Sequence, residues 1–289
     1  MLIKKSFGTG RSHKFKGLAG ITPIFVSALM ITSYAFPTYA DSVDDAIEAI
    51  ENSNFDLALE LLSEPLERED PRAQYYFGRM HIGGNSVPQD IGEAFNWILR
   101  AANNGLADAQ HDAGVMYLNG EGTEADHGKA VNMFTLAAEQ GNEGSQFNLG
   151  LIYSGGYDLP TNYEAAVKWY SMAANQGYAI AQFNLGSMLL TGVGVDQNYD
   201  QAFELLELAA KQGLADAQYN LGAIYLHEPA GKFDLKLAYL WTGIAAKNGY
   251  EDPTSLMDRI AQNLSSDDLR NATKLSHVCM ASNYENCEF

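Results

Sequence analysis

Histidine and cysteine, which often carry chemistry, are sparse in this chain of 289 residues, with six and two copies, while carboxylates are abundant. After residue 40 the histidines are His81, His111, His127, His227 and His277. No two of them have the i, i+4 spacing of a helical zinc site, and the glutamate of a zinc-protease motif is absent. There is no Gly-x-Ser-x-Gly elbow, phosphate-binding loop or Ser-x-x-Lys element. The sequence therefore predicts a protein that is not an enzyme and that uses no metal or cofactor.

The two cysteines, Cys279 and Cys287, lie near the C-terminal end. In an oxidising compartment their simplest state is one disulfide that closes a small loop, and free or intermolecular thiols are the alternative. A metal site would need two further ligands, and His277 is the one other candidate nearby. We predict a Cys279–Cys287 disulfide.

Glycine recurs along the chain with a period of 36 residues. One series follows paired alanines: Gly105, Gly141, Gly177, Gly213 and Gly249. A second series lies within apolar helical patterns: Gly78, Gly114, Gly150, Gly186 and Gly222. A strict period of this length is typical of one supersecondary unit repeated along a solenoid. Such a protein usually presents a surface for binding rather than a catalytic pocket.

Each repeated unit has the pattern of two helices. In the unit at 107–142, apolar residues recur at helical spacing in 107–117 and again in 126–140, with a glycine-containing break between them. A short polar residue stands where each second helix begins and can cap it: Asp90, Asp126, Asn162, Asn198 and Asp234. Glu93 and Gln201, three residues after two of these caps, predict capping boxes.

The two glycine series predict different roles. The glycines of the first series stand where a helix needs a left-handed residue in order to end. The glycines of the second series lie inside the first helix of each unit, where glycine costs about 1 kcal/mol relative to alanine. We expect close helix–helix contact, which a Cβ atom would block, to recover that energy.

These patterns predict an all-α fold, a solenoid of about five helix-turn-helix repeats with capping helices at both ends. We assign 1–40 to a signal peptide, 41–69 to a degenerate helix pair, 70–249 to the five repeats and 250–289 to C-terminal capping helices with the disulfide-bonded tail. Terminal units that depart from the consensus are expected, because they cap the stack with a polar face.

The first forty residues differ from the rest of the chain. They contain five basic residues and no acidic one, followed by an apolar run at 18–36 and small residues before Ala40. This is the pattern of a secretory signal cleaved after Ala40, and an uncleaved membrane anchor is the alternative. We expect an exported, periplasmic protein with no stable membrane insertion after cleavage.

The charge is strongly acidic, with 18 basic and 36 acidic residues in the whole chain. Because five of the basic residues precede residue 41, the remainder carries a net charge of −23. This sign excludes nucleic acid as a partner and disfavours anionic membrane surfaces. A solvated acidic surface explains this charge more simply than a dedicated basic ligand does.

Two of the units carry a recognisable motif. Residues 181–188 read AQFNLGSM and residues 217–225 read AQYNLGAIY, and each is followed by Ala-x-x-(Trp/Leu)-x-x-x-Ala-Ala-x-x-Gly. These segments resemble Sel-1-like repeats, which are relatives of the tetratricopeptide repeat. The resemblance implies a right-handed α/α superhelix whose first helices line a concave face. It also implies an adaptor, such as a periplasmic regulator or a scaffold.

One stripe of the first helices is not needed for packing and is the candidate peptide-binding surface. An asparagine or an aspartate recurs along this stripe from repeat to repeat. The N-terminal part of the stripe is basic, and His227 lies near its C-terminal end. The candidate residues are Arg72, Tyr76, Arg79, Asp112, Asn148, Asn184 and Asn220. An asparagine amide can donate and accept, so it suits recognition of a peptide backbone, as comparable asparagines do in the tetratricopeptide family. The alternative is that each asparagine bonds a neighbouring repeat and is structural.

The predicted function is a non-enzymatic adaptor of the cell envelope that binds another protein or an extended peptide through the concave face. A regulatory or scaffolding role fits this class of protein. The alternative, from a different class, is recognition or processing of a cell-wall component such as peptidoglycan or a β-lactam-like ligand. The sequence leaves the partner and the oligomeric state open.

Overall fold

A computed structural model describes residues 39–157, 159–226 and 231–287. The predicted signal peptide lies outside the described residues except for its last two positions, and His227 lies outside them as well. The described residues contain fourteen α-helices and no strand. Their bounds are α1 (Tyr39–Glu51), α2 (Phe55–Glu67), α3 (Pro71–Gly83), α4 (Ile91–Asn103), α5 (Ala107–Asn119), α6 (His127–Glu139), α7 (Glu143–Leu151), α8 (Tyr163–Asn175), α9 (Ala179–Thr191), α10 (Tyr199–Lys211), α11 (Ala215–Ile224), α12 (Leu235–Lys247), α13 (Thr254–Ala261) and α14 (Ser266–Ala281).

Ten of these helices form five consecutive pairs, the repeats. Helices α3, α5, α7, α9 and α11 are the first helices, and α4, α6, α8, α10 and α12 are the second helices. Each second helix packs against the first helix of its own repeat and, in the first four repeats, against the first helix that follows it. The second helices therefore join successive repeats, and the predicted α/α solenoid is confirmed. In the third repeat, α7 continues into a π-helical turn at Ile152–Gly156.

The predicted N-caps are present at all five second helices. In each, the side chain accepts a hydrogen bond from the backbone N–H three residues further on, over 2.9–3.1 Å. The two predicted capping boxes are wrong. The backbone N–H of Asp90 donates to the carbonyl of His81, and that of Asn198 donates to Leu189, so neither is free for Glu93 or Gln201.

The interior glycines allow the two helices of a repeat to touch. A Cβ atom on Gly150 would lie 2.5 Å from the Tyr170 ring, and one on Gly114 would lie 2.7 Å from Phe134. At the other three interior glycines, a Cβ atom would lie 2.5–3.0 Å from the second helix. The glycines that follow the second helices have φ angles of 87–95°, the left-handed region in which glycine is favoured.

The C-terminal part caps the stack by folding back. Helix α14 packs against α12, and Lys247 of α12 donates to the Ser276 hydroxyl over 3.0 Å. Cys279 in α14 and Cys287 in the tail form the predicted disulfide, and both are buried. Between them, the Tyr284 hydroxyl accepts a hydrogen bond of 2.8 Å from Asn248. The disulfide thus ties the tail to α14, and the Asn248–Tyr284 bond ties it to the last repeat.

Candidate functional site

Side chains bridge successive first helices, which therefore share one side of the solenoid. The Tyr75 hydroxyl of α3 donates to Asp112 of α5 over 2.9 Å. The ring nitrogen Nδ1 of His111 lies 2.8 Å from the Ser145 hydroxyl of α7. We call the solvent-facing side of α3, α5, α7, α9 and α11 the first-helix face. It carries the stripe of residues that the sequence singles out.

At the N-terminal end of this face, Arg72 forms an ion pair with Asp44 of α1. Tyr76 is half-buried and meets Tyr75 edge to face, with ring centroids 5.3 Å apart. The exposed Arg79 lies over the Tyr75 ring at 5.6 Å. The charge of Arg72 is therefore already compensated within the chain, and Arg79 supplies the basic character of this end.

Asp112 differs from the asparagines at corresponding positions, because the preceding repeat holds it. Burial raises the pKa of the Asp112 carboxyl, while the hydrogen bond from Tyr75 opposes that rise. Burial also raises the pKa of Tyr75, so its hydroxyl remains the donor. Beside it, burial lowers the pKa of His111. Asp112 belongs to a partly buried polar cluster that connects the first three repeats.

The three asparagines lie at corresponding places on the first-helix face, and each is half-buried. A hydrogen bond links the Asn184 side chain to the Tyr170 hydroxyl. The side chains of Asn148 and Asn220 form no hydrogen bond with any described residue. The amides of these two residues are therefore available to a ligand.

Glutamine, not asparagine, connects the repeats. One buried glutamine recurs in each first helix: Gln74, Gln110, Gln146, Gln182 and Gln218. In the last four, Nε2 donates to an alanine carbonyl of the preceding second helix over 3.0–3.3 Å. In all five, Oε1 accepts from the amide of the residue that ends the second helix of the same repeat, over 2.7–3.1 Å.

We call these bonds the glutamine ladder. Its 36-residue period is visible in the sequence, but sequence reasoning attached the inter-repeat role to the asparagines. In the last four repeats the acceptor of the glutamine Nε2 is the backbone carbonyl of an alanine eight residues earlier, the second alanine of each repeated pair. The 36-residue period of the glutamines was the signal in the sequence that could have identified them.

A hollow of about 290 Å³ lies between the fourth and fifth repeats, and the candidate residue Asn220 is one of those that line it. Ser187 and Thr191 line one side of it, and Asn220 and Ala223 line the other. The Ser187 hydroxyl oxygen is buried and has no hydrogen-bond partner among the described residues. A buried hydroxyl without a partner is unfavourable, so this hollow suits a polar group of a ligand.

A larger hollow of about 750 Å³ lies beside the π-helical turn, between Tyr153, Pro160 and Tyr163. It contains none of the predicted site residues. In the described ranges, no group of three or more His, Cys, Asp or Glu side chains is placed to hold a metal ion. Within the same ranges, no helix is both long and apolar enough to cross a membrane.

Five stacked helix pairs define an α-helical repeat protein. The sequence profile of the Sel1 repeat matches residues 71–106, 107–142, 144–178, 179–214 and 215–250. The chain therefore belongs to the Sel1 repeat family. Proteins of this family generally mediate protein–protein interactions, and their solenoid is typically a non-catalytic scaffold. No curated protein matches the chain significantly.

Solved structures of the same fold are similar to this chain. A Sel1 repeat protein from Oxalobacter formigenes is 25% identical with a TM-score of 0.66, and the match covers 82% of this chain and 99% of that one. A protective antigen of uropathogenic Escherichia coli with the same repeat fold is also 25% identical, with a TM-score of 0.52. That match covers 83% of this chain and 62% of the antigen.

Proposed function

We propose that this protein is an exported adaptor of the cell envelope that binds an extended segment of another protein along its first-helix face. The observation that carries the proposal is the division of roles between two sets of amides. The glutamine ladder connects the repeats. The half-buried amides of Asn148 and Asn220 are not used by described residues, although they recur at the same place in the repeat.

The spacing of these asparagines suits an extended chain. Packed helices lie about 8–10 Å apart, and an extended chain advances about 3.3 Å per residue. A peptide that runs along the face would therefore present a backbone amide to one asparagine at about every third residue. Backbone recognition of this kind depends little on the sequence of the peptide.

Two features support export. The basic and then apolar start of the chain has the pattern of a secretory signal. The Cys279–Cys287 disulfide is of a kind that persists in oxidising compartments such as the periplasm. Together, the proposed binding face and the proposed exported location favour a scaffolding or regulatory role toward an envelope assembly.

Site-specific photo-cross-linking of the full chain in its native cells tests the proposal. A photoreactive amino acid is placed at Ile180 or Thr191 on the first-helix face. Matched controls carry it at Met172 or Leu208 on the second helices, which are 37% and 51% exposed and therefore as accessible as Ile180 at 40%. We expect one protein to be captured from the first-helix positions.

Capture from the second-helix positions alone would contradict the proposed binding face. Capture of a cytoplasmic protein, or recovery of the chain from the cytoplasm, would contradict the envelope location. Hydrolysis of peptidoglycan fragments by the purified chain would contradict the adaptor role and favour the cell-wall alternative.

A further inference from the structure

The glutamine ladder is incomplete at the N-terminal end of the solenoid. In the other repeats the glutamine Nε2 donates to the residue eight positions earlier, and for Gln74 that residue is Leu66 in α2. Gln74 Nε2 donates neither to Leu66 nor to any other described residue. The Gln74 side chain is only 4% exposed, and its Oε1 accepts from Asn104 over 3.1 Å. The Oε1 end of this amide is bonded as in every other repeat, while Nε2 has no acceptor among the described residues and is not one of their fully buried atoms, so it is accessible from outside.

The sequence of α2 accounts for the difference. Where the later second helices carry paired alanines, α2 carries Pro65 and Leu66. Where the later repeats carry a glycine, Glu69 adopts a φ angle of 59°. The Leu66 carbonyl accepts from the Glu69 N–H over 3.1 Å, as the alanine carbonyls at the later junctions accept from a glycine N–H, so this bond does not set the first junction apart. The larger side chains replace the small ones that allow close contact at the other junctions.

A cleft of about 460 Å³ lies at this junction. Leu66 and Gln74 line it on one side, and Trp97, Arg100, Asn103 and Asn104 line it on the other. A second hollow of about 430 Å³ on α4 shares Trp97, Arg100 and Asn103. The amide that lacks an acceptor therefore faces an open space rather than a packed interface.

Arg100 is the one basic side chain among the described residues that line this cleft. Its guanidinium lies over the Trp97 ring at 4.7 Å and forms no ion pair with a described residue. In the next three repeats the equivalent position is Leu136, Met172 or Leu208. The acidic side chains of Glu67 and Glu69 lie at the rim and are exposed to solvent. An arginine held by a ring, beside three side-chain amides, is suited to bind a carboxylate.

We propose that this cleft binds a carboxylate, presented either by a small organic acid or by the end of a peptide. One carboxylate oxygen takes the place of the missing alanine carbonyl and accepts from Gln74 Nε2. Arg100 and the amide of Asn103 donate to the remaining lone pairs. This site is separate from the first-helix face, and its occupation does not depend on the proposed adaptor function.

Nuclear magnetic resonance of the ¹⁵N-labelled full chain tests the proposal. The probes are acetate, N-acetyl-trialanine with a free carboxylate, and the same peptide with an amidated end. We expect saturable shifts of the Gln74 and Asn103 side-chain amides and of the Trp97 indole at concentrations up to about 10 mM. The amidated peptide should bind at least about tenfold more weakly.

The variants separate binding from folding. Arg100→Leu introduces the residue found at this position in the second and fourth repeats, so this variant should keep the fold. The variant should no longer bind the peptide with a free carboxylate more tightly than the amidated peptide. Arg270→Gln on the exposed side of α14 is the matched control and should leave binding unchanged.

The relative affinities of the probes identify the source of the carboxylate. If acetate binds as tightly as the peptide, the ligand is a small acid, and if the peptide binds more tightly, the ligand is a peptide end. Equal binding of the amidated peptide, or no saturable shift, would overturn the proposal.

Discussion

A glutamine side chain has a donor end and an acceptor end, and the repeat uses both. Gln146 is 2% exposed; it donates to Ala138 of the second repeat and accepts from Gln176 of its own. Two residues later on the same helix, Asn148 is half-buried and bonds no described residue. Similar amides thus have different roles because one faces the neighbouring repeat and the other faces solvent.

The first prediction compares these two residues. Gln146→Ala leaves buried partners unsatisfied and should lower the free energy of unfolding by about 1–3 kcal/mol. Asn148→Ala removes no such bond and should change it by less than about 0.5 kcal/mol. Urea denaturation followed by circular dichroism measures both. Equal destabilisation by the two variants would mean that Asn148 also connects repeats.

The second prediction concerns pH. Burial holds the pKa of His111 below its ordinary value of 6.5, so below that pH the unfolded chain binds a proton that the folded protein does not. The contribution of neutral His111 to the free energy of unfolding is therefore fully present above pH 6.5. It is lost as the pH falls toward the pKa of His111 in the folded protein. The advantage of the wild type over His111→Asn should therefore be smaller at about pH 5.5 than at about pH 7.5, in urea titrations. Parallel pH curves would contradict this.

At the scale of the element, interior glycines determine how closely the two helices of a repeat approach. Gly150 faces the Tyr170 ring in the third repeat, at 2.5 Å from the place that a Cβ atom would occupy. For Gly243 in α12, the nearest neighbour of such an atom would be Met257, at 3.6 Å. The two glycines are both helical, but only the first lies at a close contact.

The third prediction uses this pair. Gly150→Ala should destabilise the protein by about 1–3 kcal/mol, because the new methyl group overlaps a packed ring. Gly243→Ala should stabilise it by up to about 1 kcal/mol, because alanine is the better helix former. Thermal melting of the two variants measures the difference. Stabilisation by both would show that the interior glycines are not contact residues.

Sequence reasoning could predict the elements whose cause is local. The caps at Asp90 and Asn198 and the glycines that end helices follow from short-range backbone chemistry. The course of α14 could not be predicted, because its packing on α12 depends on contacts between distant residues such as Lys247 and Ser276. The gap in the glutamine ladder was missed for the same reason, since Gln74 looks like every other repeated glutamine.

At the scale of the whole molecule, the solenoid is a linear stack in which each repeat contacts its neighbours alone. Stability in such a stack is local, so a lost cap affects the nearest repeats first. The C-terminal cap is held by the Cys279–Cys287 disulfide and by the bond from Asn248 to Tyr284.

The fourth prediction follows from this arrangement. Cys287→Ser removes the disulfide and should destabilise the C-terminal cap by about 2–4 kcal/mol. Amide hydrogen exchange should become faster in α14 and α12 and should remain unchanged in α3 to α6. Uniformly faster exchange along the chain would show that the solenoid unfolds as one cooperative unit.

The central claim is that the first-helix face holds an extended segment of a partner through its asparagines. Its most direct test is the affinity of the cross-linked partner for the wild-type chain and for the Asn148→Ala, Asn220→Ala double variant, which leaves the Asn184 bond to Tyr170 in place. We expect the double variant to bind at least about tenfold more weakly, which is about 1.4 kcal/mol, with a melting temperature within about 2 °C of the wild type. Unchanged affinity in the double variant would contradict the claim.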